Sequence, residues 1–200
     1  TDFSGVWTRD DVGGFGPHYL PPVDWPYTSF AQAMVDSFDE TSNPMLACID
    51  PGPPKSMLIP YPHRIVRKDE TTILIERDMM PVARVVYLDR NYPMGAPSAM
   101  GHSVGWFEGD ELVVETSNFI ADAWGTHTGV DSSAQKHLME RFSLFNGGLG
   151  LKSEITVTDP VYLSEPKTFN HYWAKLADRE LVQAPCTLES AQLWIEGGFD

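Results

Sequence analysis

Residues 101–119, GHSVGWFEGDELVVETSNF, contain two runs of alternating apolar and polar residues on either side of Glu108-Gly109-Asp110. A short turn of this composition between runs rich in Val and Thr is typical of a β-hairpin. The stretch therefore predicts two antiparallel strands, at about 102–107 and 111–117, and the same pattern continues on both sides of it.

Short β-rich runs with tight connections extend from residue 63 to residue 176, with further turn residues at 68–70 and 146–148. Eight strands are predicted, at 63–67, 71–77, 82–88, 102–107, 111–117, 137–145, 149–158 and 167–176. Eight strands joined as neighbours form a meander, which most simply removes its exposed edges by closing. We therefore predict a mainly β fold with one antiparallel, roughly eight-stranded barrel, whose interior can hold a small ligand.

The remaining residues are predicted to wrap this barrel within one domain, residues 1–200. In the segment 1–62, FSGVW at the start is a strand candidate, and a helix is expected from about Ser29 to Phe38, capped by Thr28 or Ser29. The proline-rich stretch from Pro44 to Pro62 should be extended.

Three further segments complete the predicted organisation. A helix is expected at about Leu188 to Glu196, within 187–197, with Thr187 as its cap and glycines after it. The long connections Asn91 to Gly101 and Asn118 to Lys136 are predicted to be lids at the barrel mouth.

The charge of the chain limits its partners. Fourteen basic and 28 acidic residues give a net charge of −14, which repels nucleic acid and anionic lipid surfaces. No apolar run approaches the roughly 20 residues of a transmembrane helix, so we expect a soluble protein without membrane insertion. The sequence leaves the oligomeric state open.

Cys48 and Cys186 are the two cysteines of the chain. They either form a disulfide, which would imply an oxidising compartment, or remain two separate buried thiols, because their spacing fits no zinc motif. The chain begins at Thr1, which fits removal of a signal peptide or another truncation.

Several blocks of the sequence resemble a family of exported, lipocalin-like bacterial proteins that are uncharacterised. The resemblance lies in FSGVW, CIDPGPP from Cys48, GHSVGWFEGDELVVETSNF from Gly101, GVDSSAQKHLMERF from Gly129, DPVYLSEPKTF from Asp159 and PCTLESA from Pro185. It implies a calycin-type barrel and a periplasmic or secreted location, and it implies no reaction. Both cysteines fall within matching blocks, which favours the disulfide. The family pattern often has arginine where this chain has Trp106, so no role of that arginine transfers.

Four titratable side chains occupy positions that alternate with apolar residues in the predicted strands: Glu76, Arg84, Glu140 and His171. If these faces point inward, the barrel contains groups that can orient a polar ligand or transfer protons. The alternative is that Glu76 or Glu140 pairs with Arg84 as an internal ion pair, or that some of these residues face solvent. Phe142 and Trp173 share the same faces and are predicted to contact the ligand.

Aromatic side chains with polar tips occur near the predicted mouth of the barrel. They are Tyr87, Tyr92, His102 and Trp106. Such side chains suit the recognition of an aromatic or polycyclic molecule.

The segment GHSVG, residues 101–105, also satisfies the G-x-S-x-G pattern of a serine hydrolase, with Ser103 as nucleophile, Asp122 or Asp131 as acid and His137 as base. A nucleophile elbow requires a helix after its strand, whereas the sequence after Gly105 predicts a hairpin. This context argues against a hydrolase.

The histidines show no metal-binding spacing, although His127 and His137 flank one loop, and no glycine-rich loop joins a strand to a helix. We therefore expect neither a metal nor a nucleotide cofactor.

Two functions remain open. The first is a barrel that binds a small apolar or aromatic molecule in its interior, oriented by Arg84 and the carboxylates. The alternative is a cofactor-independent lyase, isomerase or hydratase, with Glu140 or Glu76 as base, His171 as acid and Arg84 stabilising negative charge.

Overall fold

A computed structural model describes residues 1–10 and 20–191 of the chain. Its strands are β1 (Gly5–Arg9), β2 (His63–Arg67), β3 (Thr72–Arg77), β4 (Arg84–Tyr87), β5 (His102–Glu108), β6 (Glu111–Ser117), β7 (Asp122–His127), β8 (Val130–Ser132), β9 (His137–Phe145), β10 (Gly150–Thr158) and β11 (Lys167–Leu176). Nine of these strands form a closed barrel in the order β1-β11-β10-β9-β6-β5-β4-β3-β2, and β7 pairs with β8 in a separate ribbon.

The predicted mainly β barrel is confirmed, but it has nine strands where roughly eight were predicted, and the sheet is mixed where it was predicted to be antiparallel. Strand β1, which overlaps the FSGVW segment, lies between β2 and β11 and closes the barrel as a ninth strand. Strands β4 and β5 pair in parallel, with Val86 opposite Ser103. Parallel neighbours need a crossover of about a dozen residues, and the connection 88–101 is long enough to return the chain to the end where β4 begins.

Alternation along the strands decides which side chains fill the barrel. In β9, Leu138, Glu140 and Phe142 are buried while their neighbours are partly exposed, and β10 repeats the pattern. The aromatic rings of Trp7, Phe142 and Trp173 are 1% exposed and belong to one apolar cluster. Large side chains from several strands therefore occupy the barrel interior.

The two ends of the barrel differ in their connections. Short turns at 68–71, 109–110 and 146–149 close one end. At the other end, which we call the capped end, lie the segment 20–62 before β2, the ribbon β7–β8 and the connection 159–166. The long connections therefore cover one end of the barrel only.

The helix α1 and one disulfide organise the segments at the capped end. The predicted first helix is confirmed as α1 (Ser29–Asp36), with the Thr28 hydroxyl accepting a hydrogen bond from the Ala31 amide. The predicted disulfide Cys48–Cys186 is present and closes 138 residues. It ties the chain after β11 to the segment before β2. Among residues 1–10 and 20–191, no helix combines the length and apolar character needed to cross a bilayer.

The segment Pro44 to Pro62 departs from the extended conformation predicted for it. It contains a 3₁₀ turn at Pro44–Ala47 and the short helix α2 (Lys55–Leu58), and every residue from 51 to 59 is buried. Of the predicted C-terminal helix, residues 188–191 are helical and Thr187 accepts a hydrogen bond from the Ser190 amide, while 192–196 lie outside the described residues.

Candidate functional site

Arg84 and Glu140 form an ion pair inside the barrel. The side chains are 3% and 0% exposed, and Arg84 Nη1 donates to Glu140 Oε1 at 3.1 Å. A second bond joins Nη2 to Oε2, so that the pair is bidentate. Arg84 also donates to Ser103 Oγ at 3.0 Å and to Thr116 Oγ1 at 2.7 Å.

In this network the guanidinium of Arg84 and the carboxylate of Glu140 neutralise each other. The geometry corresponds to the internal ion pair that was the alternative to a catalytic role, because the guanidinium occupies both carboxylate oxygens. A role of Glu140 as general base would require this pair to open, and turnover stays a prediction.

Glu76 does not join this network, which corrects the prediction of a second interior carboxylate. The inward positions of β3 are Ile73, Ile75 and Arg77, so Glu76 lies on the opposite face of the strand. Its carboxylate accepts a hydrogen bond from Arg64 Nε at 2.7 Å on the outer surface.

His171 lies inside the barrel and is 1% exposed. Its ring meets that of Trp173 edge to face, with centroids 4.6 Å apart, and Phe142 stacks on Trp173 at 6.3 Å. Burial, with the charges of His63 and Arg9, lowers the pKa of His171 to about 3, so the ring is neutral at pH 7. The predicted ligand contacts Phe142 and Trp173 therefore pack on this histidine and on each other.

The aromatic residues predicted at the barrel mouth lie on its outer surface instead. Tyr87 and Tyr92 stack with centroids 3.5 Å apart, and His102 stacks on Tyr87 at 5.4 Å. Trp106 lies under the guanidinium of Arg90 at 4.1 Å. The inward positions of β5 are Ser103 and Gly105, so His102 and Trp106 must face outward.

The serine hydrolase pattern does not form a catalytic arrangement. Ser103 lies within β5 and is 1% exposed, and its hydroxyl bonds Arg84 and Thr116. His137 instead bonds Glu115 at 2.8 Å on the outer face, and Asp131 accepts a hydrogen bond from the Trp124 amide.

A pocket with a volume of about 100 Å³ lies at the capped end. We call it the Lys55 pocket. It is lined by Glu40, Asn43, Met45, Leu46, Lys55, Ile59, Pro60, Tyr61, Met79, Trp124, Thr128, Ser190 and Ala191. Its wall is largely apolar, and it is formed by segments that are far apart in the sequence.

Two buried segments form the inner wall of the Lys55 pocket. Residues 51–59 contain α2, and residues 124–130 run from β7 through the short turn at 128–129 into β8. The Gly52 amide donates to Asp122 at 2.7 Å, and Lys55 Nζ donates to the Thr128 hydroxyl. Together these bonds fix the position of the amine at the pocket wall.

The environment of Lys55 changes the chemistry of its amine. The side chain is 5% exposed, and burial together with the positive charge of Arg9 lowers the pKa of Lys55 to about 8. At pH 7 the amine is mainly protonated, with a minor neutral fraction. It can therefore donate a hydrogen bond to a ligand oxygen and can also act as a nucleophile.

Lys136 is a second buried lysine at the capped end, and its amine contacts the backbone and an aromatic ring of the fold. It is 1% exposed, donates to the Gly125 carbonyl at 3.1 Å and lies 4.2 Å above the Phe119 ring. Burial lowers its pKa to about 8 although Asp122 and Asp159 oppose the shift. It stabilises the ribbon that carries Thr128.

Within residues 1–10 and 20–191, no group of three or more His, Cys, Asp or Glu side chains is arranged to hold a metal ion. No protein-family model, curated protein or solved structure matches this chain. The function must therefore be inferred from the chemistry of the site itself.

Neither Lys55 nor Thr128 is predicted by the sequence pattern. The available signal was a single lysine within the otherwise apolar and proline-rich run PGPPKSMLIP, residues 51–60. A charge in such a run is either exposed or buried for a reason. The contact between Lys55 and Thr128 depends on the packing of segments that are distant in the sequence, and no local pattern encodes it.

Proposed function

We propose that this domain binds a small, largely apolar molecule with one oxygen-bearing head group in the Lys55 pocket. The observation that carries the proposal is a buried amine held at the wall of an apolar pocket by Thr128. Ligand sites commonly combine apolar walls with a few fixed polar groups in this way.

The volume of the pocket limits the size of the ligand. A cavity of about 100 Å³ is several times the roughly 10–15 Å³ that one water molecule needs. A ligand whose apolar part is about the size of one aromatic ring fits this space. Met45, Met79 and Trp124 supply apolar and polarisable contacts, and Lys55 supplies a hydrogen bond to the head group.

We further propose that the chain is a lipocalin-like protein of the exported bacterial family that its sequence blocks resemble. The closed barrel with one capped end supports this assignment. The disulfide supports an oxidising compartment, such as the periplasm or the exterior. The ligand site then lies at the capped end and not at the level of the Arg84–Glu140 pair, whose side chains fill that part of the interior.

Ligand-observed NMR tests the proposal with three probes of similar shape: benzyl alcohol, benzoate and toluene. With seven to nine non-hydrogen atoms and about 0.5 kcal/mol per atom, dissociation constants of roughly 0.5–3 mM are expected. Lys55→Met should weaken benzyl alcohol and benzoate about tenfold, because a bond from a charged donor is lost, and should leave toluene almost unchanged.

Two methionine variants locate the binding site. Met79→Trp fills the Lys55 pocket and should abolish binding of all three probes. Met94→Trp is the matched control, since Met94 is 60% exposed and does not line the pocket. Binding that survives Met79→Trp, or that Met94→Trp removes, would place the ligand elsewhere and contradict the proposal.

A further inference from the structure

Lys55 combines three features that a simple hydrogen-bond donor does not need. The residue is 5% exposed, it borders a pocket, and one hydrogen of its amine is committed to Thr128 Oγ1. Thr128 lines the same pocket, so its hydroxyl group lies beside any oxygen atom bound next to the amine. This places a nucleophile and a polar hydroxyl group side by side at the pocket wall.

We infer that Lys55 captures a small aldehyde as a reversible imine inside the Lys55 pocket. The inference rests on the proposed function of this pocket and names the head group of its ligand. Apolar walls favour the step, since they admit the uncharged aldehyde and limit the water that would hydrolyse the imine.

The chemistry balances without a further reactant. The amine nitrogen of Lys55 forms a bond to the carbonyl carbon while the carbonyl oxygen takes up a proton, which gives a carbinolamine. Loss of the hydroxyl as water, together with the remaining proton on nitrogen, leaves the C=N bond. No electrons are gained or lost, and the addition of water reverses the reaction.

Burial and the positive charge of Arg9 oppose protonation of Lys55 and so favour this reactivity. Of the other titratable residues that line the pocket, Glu40 would favour the protonated amine, and Tyr61 lies on a neighbouring segment. With the pKa of Lys55 at about 8, the neutral fraction at pH 7 is roughly 200 times that of an exposed lysine of pKa about 10.4. A limiting amount of aldehyde should therefore react at Lys55 before it reacts at exposed lysines such as Lys68.

Reductive trapping at pH 7 tests the inference. The full-length protein is incubated with limiting benzaldehyde and sodium cyanoborohydride, which reduces imines and leaves disulfides intact, and labelled peptides are quantified by mass spectrometry. Lys55 should be labelled at least tenfold faster than exposed Lys68. Excess benzyl alcohol should suppress labelling of Lys55 alone, which requires no variant.

Variants separate reactivity from binding. Lys55→Arg keeps the charge but cannot form an imine, so it should lose the label, whereas Lys68→Met should keep it. Equal labelling of all lysines, or labelling of Lys55 that benzyl alcohol does not suppress, overturns the inference. If benzyl alcohol binds but benzaldehyde does not label Lys55 preferentially, the imine is excluded and the proposed binding function stands. If neither probe binds, both fail.

Discussion

At the scale of single residues, Arg84 and Glu140 are costly to bury and therefore must be paired. Removing two ions from water costs several kcal/mol each, and their attraction offsets this only with good geometry and further hydrogen bonds. The bidentate contact and the hydroxyls of Ser103 and Thr116 provide such bonds. The pair fixes how β4 and β9 face each other across the interior.

The cost of breaking this pair can be measured. We expect Arg84→Met to lower the free energy of unfolding by about 3–5 kcal/mol, because it leaves the Glu140 carboxylate buried without its partner. The double variant Arg84→Met/Glu140→Met should lose less than either single variant, since no charge remains unpaired. Urea unfolding of all four proteins gives the coupling energy.

An exposed pair provides the control for this cycle. Arg64→Met should cost no more than about 1 kcal/mol, because Arg64 and Glu76 pair on the outer surface with side chains 39% and 15% exposed. If the costs at Arg84 and Glu140 simply add, the two residues do not act as a pair in solution.

At the scale of secondary structure, the strands were predictable and their connections were not. All eight predicted runs form strands, because alternation and turn residues are local properties. The parallel pairing of β4 with β5 was missed, since it depends on where the connection 88–101 takes the chain. The helix α2 was missed because it is a single turn that directly follows three prolines, and such a run reads as extended although proline is compatible with the start of a helix.

The candidate site was likewise predictable only where local patterns determine the structure. Alternation grouped Arg84, Glu140 and His171 with apolar residues but left open which face points inward, and all three are buried. Glu76 was grouped in the same way but lies on the outer face of β3, where a shift of one residue exchanges the two faces. The Lys55 pocket needed contacts between segments about 70 residues apart, which hydrophobic patterns do not describe.

The disulfide links the element that ends the chain to the cap. Replacing both cysteines by alanine, Cys48→Ala/Cys186→Ala, should lower the free energy of unfolding by up to about 5 kcal/mol, since the closed loop spans 138 residues. Ser190 and Ala191 line the Lys55 pocket just after Cys186, so affinity for benzyl alcohol should also fall. Thermal unfolding and the same NMR titration measure the two effects, and unchanged binding would show that the bridge does not support the pocket.

At the scale of the whole molecule, one end of the barrel carries the segment 20–62, the ribbon β7–β8, the connection 159–166 and the candidate site, while the other end has short turns. The interior between them holds two neutral histidines, since burial lowers the pKa of His63 to about 4 and that of His171 to about 3. In mild acid these histidines lower the stability of the fold, because the unfolded chain takes up protons more readily than the folded chain. The net charge of −14 has the opposite effect, since protonation of carboxylates reduces repulsion across the molecule. The stability of the barrel below pH 7 depends on which of these effects is larger.

Comparison of two histidine variants separates them. The pKa of His171 is lower in the folded chain than the ordinary value of about 6.5, so the unfolded chain takes up a proton first as the pH falls. The stabilisation that neutral His171 contributes to the folded state is therefore complete above pH 6.5 and is lost as the pH falls toward 3. Between pH 7 and pH 5 this loss lowers the free energy of unfolding by roughly 2 kcal/mol. His171→Phe removes this loss, so its urea unfolding free energy should decline less over that range than that of the original protein. His102→Phe, on the outer surface, is the matched control and carries the same effect of net charge. Equal slopes for the two variants would mean that His171 gains its proton within the folded barrel, which requires water or a carboxylate to reach the ring.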